Sequence, residues 1–157
     1  MRRFTRRLPL LILLFLLIEF LDELVFGGLG AAWPLVRADL GLSYAQIGLA
    51  LALPGLISVF IEPALGVLGD AGHRRALVLG GGVLFVLSLL LTALTPSFPL
   101  FLLAACLFYP ASGAFVSLSQ ATLMDLAPER HEQNMARWTL AGSLGVVAGP
   151  LLLGLFV

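Results

Sequence analysis

Residues 66–75 read Gly66-Val67-Leu68-Gly69-Asp70-Ala71-Gly72-His73-Arg74-Arg75, one acid and two arginines in a short polar stretch. On either side the chain loses its charges. Upstream, Leu40 to Ile61 is charge-free before Glu62, and downstream nothing charged occurs from Ala76 to Met124. A helix crosses a bilayer with roughly 20 apolar residues, so each flank is long enough to span. Residues 70–75 are then a loop between two membrane helices. The Thr95-Pro96-Ser97-Phe98-Pro99 cluster divides the downstream stretch in two, because such clusters break helices.

Two further spans lie outside this centre. One runs from about Leu8 to the Trp33-Pro34 pair, interrupted by Glu19, Asp22 and Glu23, and another from Trp138 to Val157. The predicted spans are therefore about 8–34, 47–69, 76–94, 98–124 and 138–157, an all-α integral membrane protein with five transmembrane helices. Trp33 and Trp138 fall at span ends, where amphipathic aromatics prefer to sit. Composition agrees: 60% of residues are hydrophobic and 11% charged, against about 45–50% and about 25% in soluble domains. The basic residues are all Arg and equal the acids in number, so no net field draws nucleic acid. Cys106 has no partner, which excludes a disulfide framework and a thiolate metal site.

Met1 to Phe20 has the charged-then-apolar pattern of a signal peptide, but the carboxylates nearby argue against removal of this segment. Arg2, Arg3, Arg6 and Arg7 precede the first span, Arg74 and Arg75 follow the second, and Arg130 and Arg137 precede the fifth. Only Arg37 falls on the opposite side. The positive-inside bias then places the N-terminus in the cytoplasm and Val157 at the outer face of the cytoplasmic membrane.

The loop at 66–75 resembles the signature between the second and third helices of the major facilitator superfamily, Gly-x-Leu-Ala-Asp-Arg-x-Gly-Arg-Arg. Gly66, Leu68, Asp70, Arg74 and Arg75 match; Ala71 replaces the usual Arg, and the glycine falls at Gly72 with His73 in its slot. Gly145, Gly149, Pro150 and Gly154 are similar to the Gly-x-x-x-Gly-Pro-x-x-x-Gly motif of that family's fifth helix, where glycines let a neighbouring helix approach. Asp39-Leu40-Gly41-Leu42-Ser43 with Gly48 resembles the first outer loop, and Asp125-Leu126-Ala127-Pro128-Glu129-Arg130 the end of the fourth helix. Members have two six-helix bundles with alternating access around a central site. The resemblance thus implies a partial N-terminal bundle over residues 1–157, ending after its fifth helix, with the C-terminal bundle or a partner chain completing it. It also implies that Asp70, Arg74 and Asp125 form a cytoplasmic charge network with Gly66 and Arg75 in the same motif, and that the third span faces lipid.

Glu19, Asp22 and Glu23 follow i, i+3, i+4 spacing and share one helix face. A charge at the bilayer centre costs about 2.5–3.5 kcal/mol on insertion scales, so three together must face a cavity or carry protons. No Arg or His lies within the predicted spans to neutralise them. They are candidate proton- or cation-coupling residues, and the alternative is an Arg partner from outside this chain that only ties bundles together. Glu62 is a fourth candidate, although its place near the cytoplasmic end also lets it reach headgroup water. On the fourth span, Tyr109, Ser112, Gly113 and Gln120 fall within one helical stripe and are candidate cavity-lining groups; interhelical hydrogen bonding explains them as well. Many drug-exporting relatives carry an Arg where Tyr109 stands.

No catalytic site is legible. Both histidines, His73 and His131, fall in loops, no His-Glu-x-x-His or clustered metal ligands occur, and Gly80-Gly81-Gly82 lacks the Lys-Ser/Thr ending of a phosphate loop. The segment from Pro128 to Arg137 reads as a connecting helix on the membrane surface. The expected function is secondary transport of a small solute by alternating access, ion-coupled and outward, with no cofactor and no metal. The rival is a non-transporting membrane module that acts by packing against a partner.

Overall fold

The structure, a computed structural model, describes residues 2–157, and side chains from Pro9 onward. The N-terminal arginines used above for orientation therefore lie outside the described side chains. Every regular element among the described residues is helical: α1 (Arg2–Leu40), α2 (Tyr44–Leu68), α3 (Arg74–Leu94), α4 (Phe98–Ser112), α5 (Leu118–Leu126) and α6 (His131–Leu153). Three helical stretches are long and apolar enough to cross a membrane, Tyr44–Leu94, Phe98–Leu126 and Pro128–Leu153. The first of these is two helices joined at a break. There Gly69–His73 forms a π-helical segment in which Gly72 takes φ 94° and ψ 3°. That left-handed conformation favours glycine, so the glycine at 72 sits where the backbone turns out of α2 and into α3.

A Cβ at Gly72 would meet nothing within 4 Å, so any penalty there is one of backbone conformation alone. Gly72→Ala is expected to cost about 1–3 kcal/mol. Thermal melting in detergent checks this, and an unchanged Tm would show that the turn tolerates a side chain.

The backbone forms two compact units, one of residues up to Trp33 with Ser119–Val157, the other Pro34–Leu118. Within Pro34–Leu118, α4 is the central element, with α2 and α3 packed on it. Gly81 makes the closest approach: a Cβ there would lie 2.8 Å from the Ala114 Cβ and 2.8 Å from the Phe115 amide nitrogen. Phe85 continues the contact, its ring centroid 5.0 Å from that of Phe108 and 5.8 Å from that of Phe115. Ser88, also buried, donates its hydroxyl to the Phe85 carbonyl at 2.8 Å, which satisfies it within its own helix. The opposite side of α3, with Leu79, Val83, Val86 and Leu90, is exposed. The expectation of a lipid-facing third helix thus applies to that side; the other side is core.

At the start of this unit Gly41 takes φ 61°, turning the chain from α1 into α2. The Arg37 guanidinium donates to the Leu42 carbonyl at 3.3 Å and lies 4.2 Å from the centre of the Tyr44 ring. Ser43 then caps α2 reciprocally with Gln46, giving its first turn partners for otherwise orphaned amides.

Two readings of the sequence need correction in the other unit. Pro128–Arg137 is not a separate surface helix: Pro128–Arg130 is a 3-10 turn, and α6 starts at His131 and continues without a break to Leu153. Trp138 is buried at 5% exposure, on the α6 face that also buries Asn134 and Gly142. It is a core residue of this unit and not an exposed aromatic at a helix end.

Candidate functional site

In the unit formed by residues up to Trp33 with Ser119–Val157, α1 carries the acidic face. Helical spacing puts Glu19, Asp22 and Glu23 together; Glu19 is 8% exposed and Asp22 7%, while Glu23 is half-buried. The surface they meet is made of glycines on α6. A Cβ at Gly142 would lie 2.6 Å from Glu19 Oε1 and 3.4 Å from Glu23 Cγ. One turn on, a Cβ at Gly145 would overlap the Phe20 carbonyl and approach the Leu24 nitrogen, and at Gly149 it would overlap the Leu24 carbonyl and the Gly28 nitrogen. Contacts advance in the same direction along both helices, so α1 and α6 run parallel. Gly27 reciprocates, facing the Val146 carbonyl and Pro150 Cδ.

Of the four residues read as a packing motif, Gly145 and Gly149 touch the α1 backbone and Pro150 touches the edge of Gly27. Gly154 meets only carbonyls of its own helix, at 3.5 Å or more. Gly142, Gly27 and Gly28 belong to the same seam and were not singled out from the sequence. Their signal was available as spacing: 142, 145 and 149 follow the i, i+3, i+7 period of one helix face.

The second acidic candidate lies in the unit Pro34–Leu118. Glu62 on α2 is exposed, yet its side chain runs over Gly113, where a Cβ would lie 3.1 Å from Glu62 Cγ and 3.2 Å from Oε1. Gly113 opens a π-helical turn, Gly113–Ser117, between α4 and α5. Single π turns within a helix insert one extra residue and recur at functional sites. Tyr109, Ser112 and Gly113 are half-buried in the unit Pro34–Leu118, and Gln120, on α5, belongs to the other unit. Its amide reaches Met135 Sδ at 3.6 Å. One turn before Glu62 on α2, Ser58 is buried with its hydroxyl unpartnered.

At the 66–75 loop, Arg74 Nη2 donates to Asp70 Oδ1 at 3.0 Å, the i, i+4 pair its spacing allows. Asp70 is 80% exposed, so the pair contributes about 0–1 kcal/mol in water. Arg75 is exposed, and Gly66 has open space where a Cβ would stand. Asp125 lies near the end of α5, in the other compact unit.

Sequence reasoning passed over Asn134. It sits in the polar run His131-Glu132-Gln133-Asn134, which reads as solvated, yet it is 0% exposed with both Nδ2 and Oδ1 unpartnered. Each such buried group costs about 1–3 kcal/mol. Only its four-residue spacing from Trp138, and again to Gly142, marks it as belonging to the buried face of α6.

With this geometry in place, comparison with known proteins is informative. The family model of the Major Facilitator Superfamily matches residues 15–157. The Fosmidomycin resistance protein of Escherichia coli (strain K12) is 29% identical over 140 residues, an alignment covering 88% of this chain and 34% of that protein. The chain thus spans about a third of the length of this relative. No solved structure matches. The match takes in all but the first turns of α1 and includes both the acidic face and the glycine seam of α6, and on that ground the chain belongs to the Major Facilitator Superfamily, a family of membrane transporters and not of enzymes.

Proposed function

We propose that this chain forms five spans of the N-terminal bundle of a secondary transporter, which exports a small solute by alternating access and couples export to protons or another cation. The observation that carries the reading is the pair of buried carboxylates, Glu19 and Asp22, on an apolar helix and seated against glycines. Ionisable residues at membrane depth are costly and mark ion or substrate pathways. Glycine at 142 leaves the space into which the Glu19 carboxyl projects. Glu62 over Gly113 is a second acidic position that the same mechanism can use.

Topology supports five crossings. The break at Gly72 separates α2 from α3, the 95–97 loop separates α3 from α4, and α1 and α6 run parallel, as the first and fifth of five successive crossings must. The arginine distribution supports an N-terminus in the cytoplasm, and the resemblance of the 66–75 and 125–130 motifs to the family's supports Asp70, Arg74 and Asp125 as charges that steady one state of the cycle. Tyr109, Ser112 and Gly113 supply polar lining. Alternating access needs two bundles, so the remaining half is contributed by a further segment or a partner chain.

The named relative suggests the first solute to try. Cells of a fosmidomycin-sensitive strain expressing the intact protein that contains this chain should accumulate less fosmidomycin than control cells, and a protonophore should abolish the difference. Equal accumulation in both strains removes fosmidomycin as substrate. A difference that survives the protonophore removes ion coupling and leaves transport.

A further inference from the structure

One face of α6 is buried from end to end: Asn134, Trp138, Gly142, Gly145 and Gly149. The steps between them keep a single stripe along the helix. Its later part is filled by α1, with Gly142 under the Glu19 carboxylate and the next two glycines against the α1 backbone. Its earlier part holds Asn134, about 12 Å along the axis from Gly142 at 1.5 Å per residue. The interior of this unit buries Glu19, Asp22, Ser119 and Asn134 together. Asn134 differs from a residue that glues helices together, because neither atom of its amide has a hydrogen-bond partner.

A primary amide offers two N–H donors and a carbonyl oxygen with two lone pairs. Enclosed without protein partners, such a group is the kind of site that internal water occupies, each water typically making about three hydrogen bonds to buried polar groups. We propose that Asn134 orders water inside this unit, and that the hydrated line runs along α6 past Trp138 to Gly142, giving Glu19 and Asp22 their proton route through the interior of their own unit. The purpose of the line rests on the coupling reading above; the water itself does not. Asn134 acts as a positioning residue, since it orders the solvent that reaches the carboxylates and does not itself carry charge.

Trp138 stands between the two ends and reports on the line, because its indole reacts readily with hydroxyl radicals where water is adjacent. Radiolytic hydroxyl-radical footprinting of the intact protein in native membranes should therefore oxidise Trp138 despite its burial. Asn134→Leu, with the same branching at Cγ but without hydrogen-bonding groups, should slow that oxidation several-fold, and Asn134→Ser should restore much of it by leaving a hydroxyl and space. Thermal melting of each variant shows whether it is folded; removal of an unpartnered amide predicts a Tm for Asn134→Leu equal to or above wild type. An unoxidised Trp138 in the wild type, or oxidation unchanged in a folded Asn134→Leu, overturns the proposal. Footprinting reads water and not ion movement. A hydrated Trp138 combined with carboxylate variants that keep the wild-type pH response of transport would thus sink coupling while leaving the water line standing.

Discussion

Gly149→Ala is expected to drive α1 and α6 apart. The added Cβ would overlap two backbone groups on α1, the Leu24 carbonyl and the Gly28 nitrogen, and backbone cannot rotate out of the way as a side chain can. Overpacking a tight contact typically costs about 1–3 kcal/mol, and this site belongs at the upper end because both obstacles are main chain. Lipid tails are as apolar as leucine, so α1 and α6 are held by close packing with no hydrophobic gain from leaving water. Losing that closeness removes the main reason for the pair to associate. Gly149→Leu should abolish folded protein, and Gly145→Ala should resemble Gly149→Ala. Gly30→Ala is the matched control, since a Cβ there meets nothing within 4 Å and alanine favours helix over glycine by about 1 kcal/mol. Detergent melting curves decide: a Gly149→Ala protein as stable as Gly30→Ala would show that the seam opens without penalty.

That seam also shows how far the sequence could be read. The acidic face of α1 was legible because i, i+3, i+4 spacing survives in any regular helix, and α1 is regular there. Gly145 and Gly149 were legible as a motif, but their partner was not, since a small-residue stripe does not say which helix comes close. The side of α3 that packs was hidden for a related reason. Core-facing and lipid-facing residues are both apolar, so Gly81 and Phe85 look no different from Leu79 and Val83 until the fold is known. The π turn at Gly113–Ser117 was not legible either, because α-helical counting along the fourth span assumes an unbroken period. Asn134 and Trp138 were missed or misread because polar and interfacial residues near a helix start are normally wet. Here the helix simply starts earlier, at His131, and buries them.

Asp22→Asn, and separately the double substitution Glu19→Gln/Glu23→Gln, are expected to collapse proton-driven transport by the intact protein. Both changes keep size and hydrogen-bonding capacity but remove the group that gains and loses a proton. Glu19 and Asp22 are buried and near one another, whereas Glu23 is only half-buried and adds charge beside Gly142 and Gly145. Fixing Asp22, or Glu19 with Glu23, as neutral amides removes the change of charge that a coupled cycle requires. The rate should fall by more than about tenfold, the usual consequence of removing a group that the chemistry needs, and what remains should no longer respond to the pH gradient. A structural role predicts otherwise. Amides in place of buried acids avoid the desolvation of charge, so the variants should fold at least as well as wild type, and transport through a merely structural site would keep its pH response. Transport should therefore be recorded against an imposed pH gradient in vesicles, with melting temperatures taken on the same preparations. Well-folded variants that transport with the wild-type pH response would return these carboxylates to a packing role and remove the basis for ion coupling through α1.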